Sequence, residues 1–138
     1  MKTKGLIILL LATLISCEFF GDRVDKEKLP GRYVFQTWGK DTLDVYANGT
    51  YSFHKWWDGK KLQNSGTWTY NSSMGEVDFG NFSFMTDSIS IGDSTFLPRG
   101  RWITRIKTED DEIRFVYASD VYKAYFLKVD SVDNKKID

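Results

Sequence analysis

Between Leu29 and Val129 apolar and polar residues alternate with a period of two, which marks half-buried strands rather than helices. Tyr33, Phe35 and Thr37 alternate with Val34 and Gln36, and Leu43, Val45 and Ala47 with Asp44 and Tyr46. Asn48-Gly49 follows as a two-residue hairpin signal, in which both turn positions need positive φ. Tyr51 and Phe53 open the return strand, which ends near Trp57 at a second turn, Asp58-Gly59. Gly66 to Tyr70 predicts a fourth strand with Trp68 and Tyr70 on one face; Asn71 to Gly75 is a loop, and Val77 and Phe79 begin a fifth strand. From Gly80 to Gly100 the pattern loosens, with Phe82-Ser83-Phe84 and Ile89-Ser90-Ile91 each a candidate short strand. Arg101 to Lys107, Glu112 to Ala118 and Val121 to Val129 complete the set, joined at Glu109-Asp110-Asp111 and Ser119-Asp120. About eight to nine short strands in succession predict an all-β domain, a barrel or a sandwich. Closure into a single small up-and-down antiparallel β-barrel is favoured because it removes exposed edges.

The alternation does not extend to the first residues. Lys2 and Lys4 precede Leu6 to Ile15, an apolar run broken only by Thr13, and Ser16 stands before Cys17, the sole cysteine. The run is shorter than the ~20 residues a spanning helix needs, so it predicts a removable signal. Leu14-Ile15-Ser16-Cys17 resembles the lipobox of bacterial lipoproteins. The resemblance implies that residues 1–16 are cut away, that Cys17 carries lipid, and that the protein is anchored in the envelope of a Gram-negative bacterium, at the outer membrane. Each buried CH₂ contributes about 0.8 kcal/mol, so one acyl chain holds marginally and two or three hold firmly. With Cys17 lipidated no disulfide remains, and the domain must stand on packing alone. Residues 17–28 read as a lipidated tether, with Phe19 and Phe20 beside the bilayer; residues 29–130 form the barrel, and residues 131–138 a frayed tail.

Charge narrows the partners. The full chain has 19 basic and 19 acidic side chains, and loss of Lys2 and Lys4 leaves a small acidic excess. No basic field is available for phosphates, so nucleic acid is not an expected partner. Aromatic residues make up 16% of the chain, enough to build a core from rings.

Several short motifs bear on the type of barrel. Leu29-Pro30-Gly31-Arg32-Tyr33 is similar to the Leu-x-Gly-x-Trp/Tyr opening of lipocalin-type barrels, whose aromatic plugs the closed end. Asp41-Thr42-Leu43, Asn48-Gly49-Thr50-Tyr51 and Ser65-Gly66-Thr67-Trp68 follow in the order seen in short lipocalin-like lipoproteins of Bacteroidota. Ser119-Asp120-Val121-Tyr122 is loosely similar to the Thr-Asp-Tyr motif near a lipocalin's late hairpin. The resemblance implies a lipocalin-like barrel that binds rather than catalyses.

Candidate chemistry is sparse. His54 is the only histidine, which leaves no second imidazole for a metal site or relay, and no cofactor is implied. It shares a strand face with Ser52 and Trp56, opposite Tyr51 and Phe53, and is expected to face solvent. No phosphate loop, nucleophile elbow or calcium loop is present, and Glu109-Asp110-Asp111 reads as a solvated turn. Trp56 and Trp57 point to opposite faces, so one of them sits on the surface or rim. Either it contacts a partner or it packs on a neighbour such as Trp38. Asn48, Asn71 and Asn81 fit a glycosylation pattern that is foreign to a bacterial lipoprotein; Asp41-Thr42, Asp87-Ser88, Asp93-Ser94 and Asp130-Ser131 fit the Asp-Ser/Thr acceptor pattern of Bacteroidota. The primary expectation is a small apolar ligand in the barrel mouth, contacted by Trp56, Trp57, Trp68, Tyr70, Phe96, Trp102 and Tyr117. The alternative is an interaction or inhibitor lipoprotein that holds an envelope protein with its outer face and rim. Inward Trp68, Tyr70, Trp102, Phe115 and Tyr117 would fill a small barrel and favour a shallow one. Phe82, Phe84, Met85, Phe96 and Leu97 would make the passage from Gly80 to Gly100 a lid or a plug.

Overall fold

The computed structural model describes residues 20–36, 40–57, 59–83, 89–91, 94–96, 100–118 and 124–130. Ten strands appear among them: β1 (Gly31–Phe35), β2 (Thr42–Val45), β3 (Thr50–Trp57), β4 (Lys60–Asn71), β5 (Glu76–Phe82), β6 (Ile89–Ile91), β7 (Ser94–Phe96), β8 (Gly100–Glu109), β9 (Glu112–Ala118) and β10 (Ala124–Asp130). Eight of them close an antiparallel barrel in the order β1-β2-β3-β4-β5-β8-β9-β10, while β6 and β7 form a separate two-stranded sheet. Each barrel strand pairs with its neighbour in the chain, apart from the β6–β7 insertion, so the topology is up-and-down. The β1–β10 ladder, from Arg32↔Asp130 to Phe35↔Phe126, removes the two edges an open sheet would expose.

Side-chain alternation assigns the interior. Tyr33 and Phe35, Leu43 and Val45, Tyr51 and Phe53, Val77 and Phe79, Phe115, and Phe126 are buried within it. Tyr33 stacks on Phe115 at 4.2 Å and 17°. Phe79 meets Phe115 edge-on at 5.7 Å and stacks on Trp102 at 5.2 Å, and Trp102 meets Phe82 at 4.9 Å and Phe126 at 5.7 Å. Each fully buried ring contributes about 2–3 kcal/mol of transfer free energy, and edge or stacked pairs add to it. Rings therefore fill the described interior of the barrel.

One end is plugged. Leu29 and Tyr33 are fully buried, and the Tyr33 hydroxyl donates to the Leu29 carbonyl at 2.7 Å. Burial pushes that hydroxyl far above the ordinary tyrosine pKa, so it remains a donor. A 3₁₀ turn, Lys26–Lys28, leads into this plug. The turns after β2, β4 and β8 lie at the same closed end. β1, β3, β5 and β9 end at the other, the mouth.

Element boundaries differ from the sequence expectation where polarity hides pairing. β4 begins at Lys60 rather than Gly66, because Lys60 to Ser65 pair with β3 through main-chain bonds that polar side chains do not hinder. β1 stops at Phe35, with a bend at Gln36, and β10 is described from Ala124, while Thr37 and Val121 to Lys123 lie outside the described residues. The first hairpin is not a two-residue turn. Gly49 N–H donates to the Tyr46 carbonyl at 3.1 Å, and Tyr46 N–H to Thr50 at 2.9 Å, so Ala47, Asn48 and Gly49 form the loop. Only Gly49 has positive φ, 85°, the pattern of a type I turn closed by a glycine bulge. The turn with positive φ at both positions is instead Asp110-Asp111, at 51° and 65°. At the second turn Trp57 pairs with Lys60 and Gly59 has φ 70°, while Asp58 lies outside the described residues.

Candidate functional site

Of the seven aromatic residues expected to contact a ligand, the five whose side chains are described fall at two different ends of the barrel. Trp68 and Tyr70 lie near the closed end. Trp68 is buried and donates its indole N–H to the Tyr46 carbonyl at 2.8 Å, with the Lys26 ammonium 5.7 Å over its ring. Its work is to fasten the first hairpin and the 3₁₀ turn. Trp56 and Tyr117 lie at the mouth and are 50% and 37% exposed. Trp102, near the mouth end of β8, is partly buried on Phe79, Phe82 and Phe126. Trp57 is on β3 and Phe96 on β7, but their side chains lie outside the described residues, as do Cys17, Phe84, Met85 and Leu97.

At the mouth, inward positions change character. Phe35 meets Tyr117 edge-on at 5.4 Å, and Phe126 lies beneath at 4.9 Å from Phe35. Lys55 occupies an inward position on β3 and pairs with Asp41 at 3.7 Å, with side-chain exposures of 12% and 18%. Asp41 also accepts the Trp56 backbone N–H at 3.2 Å, which ties the rim of β3 to the start of β2. Among the described residues the arrangement is a shallow aromatic floor with the Lys55 ammonium at its edge. It is suited to a flat apolar group or a partner's side chain, since the rings below leave no depth.

A buried amide organises the departure of the insertion. Asn64 is 3% exposed; its Oδ1 accepts Ser83 N–H at 3.0 Å and the Tyr51 hydroxyl at 3.3 Å, and its Nδ2 donates to the Asn81 carbonyl at 3.1 Å. These bonds support a bulge between Gly80 and Phe82, where Asn81 has φ 57°. The bulge turns Phe82 inward at the end of β5. Sequence reading missed Asn64 because a polar residue at an inward strand position has no pattern of its own.

On the outer face, His54 is half-buried rather than simply solvated. Its Nε2 lies 3.0 Å from Ser52 Oγ, which accepts from Gln63 at 3.2 Å. Desolvation first, and then nearby Lys61, hold its pKa below the ordinary value. A serine beside an imidazole has the outline of a nucleophile and base, but Nδ1 is buried without a hydrogen-bond partner and nothing orients the ring. Asp44, the nearest buried carboxylate, is held by Arg32 at 2.7 and 2.9 Å. Among the described residues no group of three or more metal-binding side chains occurs.

The closed end has a feature the sequence did not announce. Gly21 to Lys28, expected to be tether, is fastened to the barrel from Gly21 onward. Gly21 N–H donates to Met74 at 2.9 Å and Asp22 N–H to Ile106 at 2.7 Å. The Asp22 carboxylate accepts Thr108 N–H and Oγ1 at 2.7 and 3.0 Å. The Tyr70 hydroxyl accepts Val24 N–H at 3.1 Å and donates to the Val24 carbonyl at 2.9 Å. Gly21 crosses Gly75 so closely that a Cβ on Gly21 would fall 1.9 Å from the Gly75 oxygen. Between this strap and the two turns lies an open cleft of about 700 Å³, lined by both signs of charge, Arg23 and Lys28 against Asp110 and Asp111. Compared with protein-family models, curated proteins and solved structures, the chain finds no match.

Proposed function

We propose that this is a lipid-anchored, non-catalytic envelope lipoprotein, lipidated on Cys17, whose lipocalin-like barrel binds an envelope protein through the rim of its mouth. The observation that carries the choice of rim over interior is the filled barrel. Tyr33, Tyr51, Phe53, Phe79, Phe115 and Phe126 are each buried to within 2% and occupy the space an enclosed ligand would need. Exposed Trp56 and Tyr117 supply aromatic anchors of the kind that dominate protein contacts. Lipobox-like Leu14-Ile15-Ser16-Cys17 supports the anchor and, with it, placement at the outer membrane of a Gram-negative bacterium.

A second reading, a small apolar ligand at the mouth, draws support from the half-buried Trp102 ring and from Tyr117 over Phe35. Native mass spectrometry of the protein purified from its own membranes separates the two. A co-purifying protein that is lost from Trp56→Ala or Tyr117→Ala supports the rim; a retained small molecule overturns it. For the anchor, a fatty-acid analogue should label the wild type and not Cys17→Ser. Persistent labelling of that variant removes the basis for the anchor.

A further inference from the structure

The strap turns a covalent anchor into an orientation. A tether ordinarily leaves a domain free to tumble above a membrane. Here the chain is fixed to the closed end from Gly21 onward, by the bonds of Gly21 to Met74, Asp22 to Ile106 and Thr108, and Val24 to Tyr70. The four residue steps from Cys17 to Gly21 span at most about 14 Å. β4, which runs from mouth to closed end, is 12 residues long. At about 3.3 Å per residue and about 40° of tilt, that is roughly 30 Å of height. The leash is thus shorter than the barrel. Phe20, next to the fixed point, is 49% exposed and free to sit among headgroups.

From this geometry we propose that the closed end is the surface apposed to the phospholipid bilayer, so that the Asn71–Gly75 turn stands beside the headgroups and the mouth points away. The proposal rests on the lipid anchor at Cys17. It assigns the occupant of each end: a lipid surface below, and at the rim a partner reached from the aqueous side. Trp56 and Tyr117 are then carried roughly a barrel height above the bilayer, too far to serve as membrane anchors themselves.

The test uses the lipidated full chain in vesicles of zwitterionic phospholipid doped with a headgroup-quencher lipid. One fluorophore is placed by Ser72→Cys at the closed end or by Lys60→Cys at the mouth, both exposed positions. Quenching several-fold stronger at position 72 than at position 60 is expected. A flexible Gly/Ser insert between Phe20 and Gly21 should bring the two toward parity without releasing the protein. Equal quenching in the uninserted protein, or stronger quenching at position 60, overturns the orientation while flotation with the vesicles keeps the anchor. Failure of wild type and Cys17→Ser alike to float overturns the anchor reading, and the orientation falls with it.

Discussion

At the scale of single residues, the side chains with the clearest roles are those joining distant parts of the chain. The Tyr70 hydroxyl is donor and acceptor to one residue, Val24, across 46 positions of sequence. Tyr70→Phe keeps the ring and removes both bonds, so it should cost about 1–2 kcal/mol in urea unfolding and raise amide exchange from Gly21 to Val24. Unchanged exchange there would mean the strap is held without Tyr70. His54 gives a pH signature. Its folded pKa lies below the ordinary 6.5, pulled down by desolvation and by Lys61 and Arg32, with Asp44 opposing. The unfolded state therefore binds more protons in the window between that lowered value and 6.5, and stability should fall as pH drops through it. A His54→Gln variant should show a flatter profile there; an identical profile would place the effect elsewhere. Sequence alternation located His54 on the outer face correctly. Its partial burial was not legible, because Gln63 becomes its cross-strand neighbour only through strand register.

At the scale of elements, apolar alternation revealed strands with buried faces and missed pairing without them. β3 and β9 were legible from Tyr51-Ser52-Phe53 and Ile113-Arg114-Phe115, while the first half of β4 was hidden by Lys60, Lys61, Gln63 and Ser65. Turn chemistry misled in the opposite sense. Asn48-Gly49 has the preferred composition for paired positive φ yet forms a bulged loop, whereas Asp110-Asp111 adopts paired positive φ with two carboxylates. That turn also carries Glu109 and Glu112 directly opposite one another, relieved by Arg114, which bonds both. Replacing Asp110-Asp111 with Asn-Gly should stabilise by about 1 kcal/mol, through easier positive φ and less repulsion. Part of that gain should vanish in high salt, since screening already weakens the repulsion in the wild type. Denaturant midpoints of the two proteins at low and high salt check this; a loss of stability at both would show that the aspartates are needed in the turn.

At the scale of the whole molecule, barrel closure was legible because eight alternating segments in sequence leave few other ways to bury one face of each. What the sequence concealed was everything that crosses the ends, namely the strap at the closed end and the bulge where the insertion leaves. Both are held by side-chain hydrogen bonds, of Asp22 and Tyr70 at the strap and of Asn64 at the bulge, that carry no periodicity. The insertion itself separates cleanly from the closure. β5 pairs with β8 from Glu76↔Arg105 to Phe82↔Gly100, and β6 pairs with β7, so among the described residues no barrel ladder runs through the insertion. Replacing residues 86–97 with a short Gly/Ser linker should therefore leave a folded barrel, with near-ultraviolet circular dichroism retained and only a modest loss in Tm, because closing a longer or shorter loop changes the entropy slowly. If the insertion acts as a lid or contact surface, the shortened protein keeps its fold and loses its co-purifying partner. If it is a plug, the near-ultraviolet signal collapses as the rings around Trp102, Phe82 and Phe126 lose their cover, and the barrel cannot be regarded as complete without it.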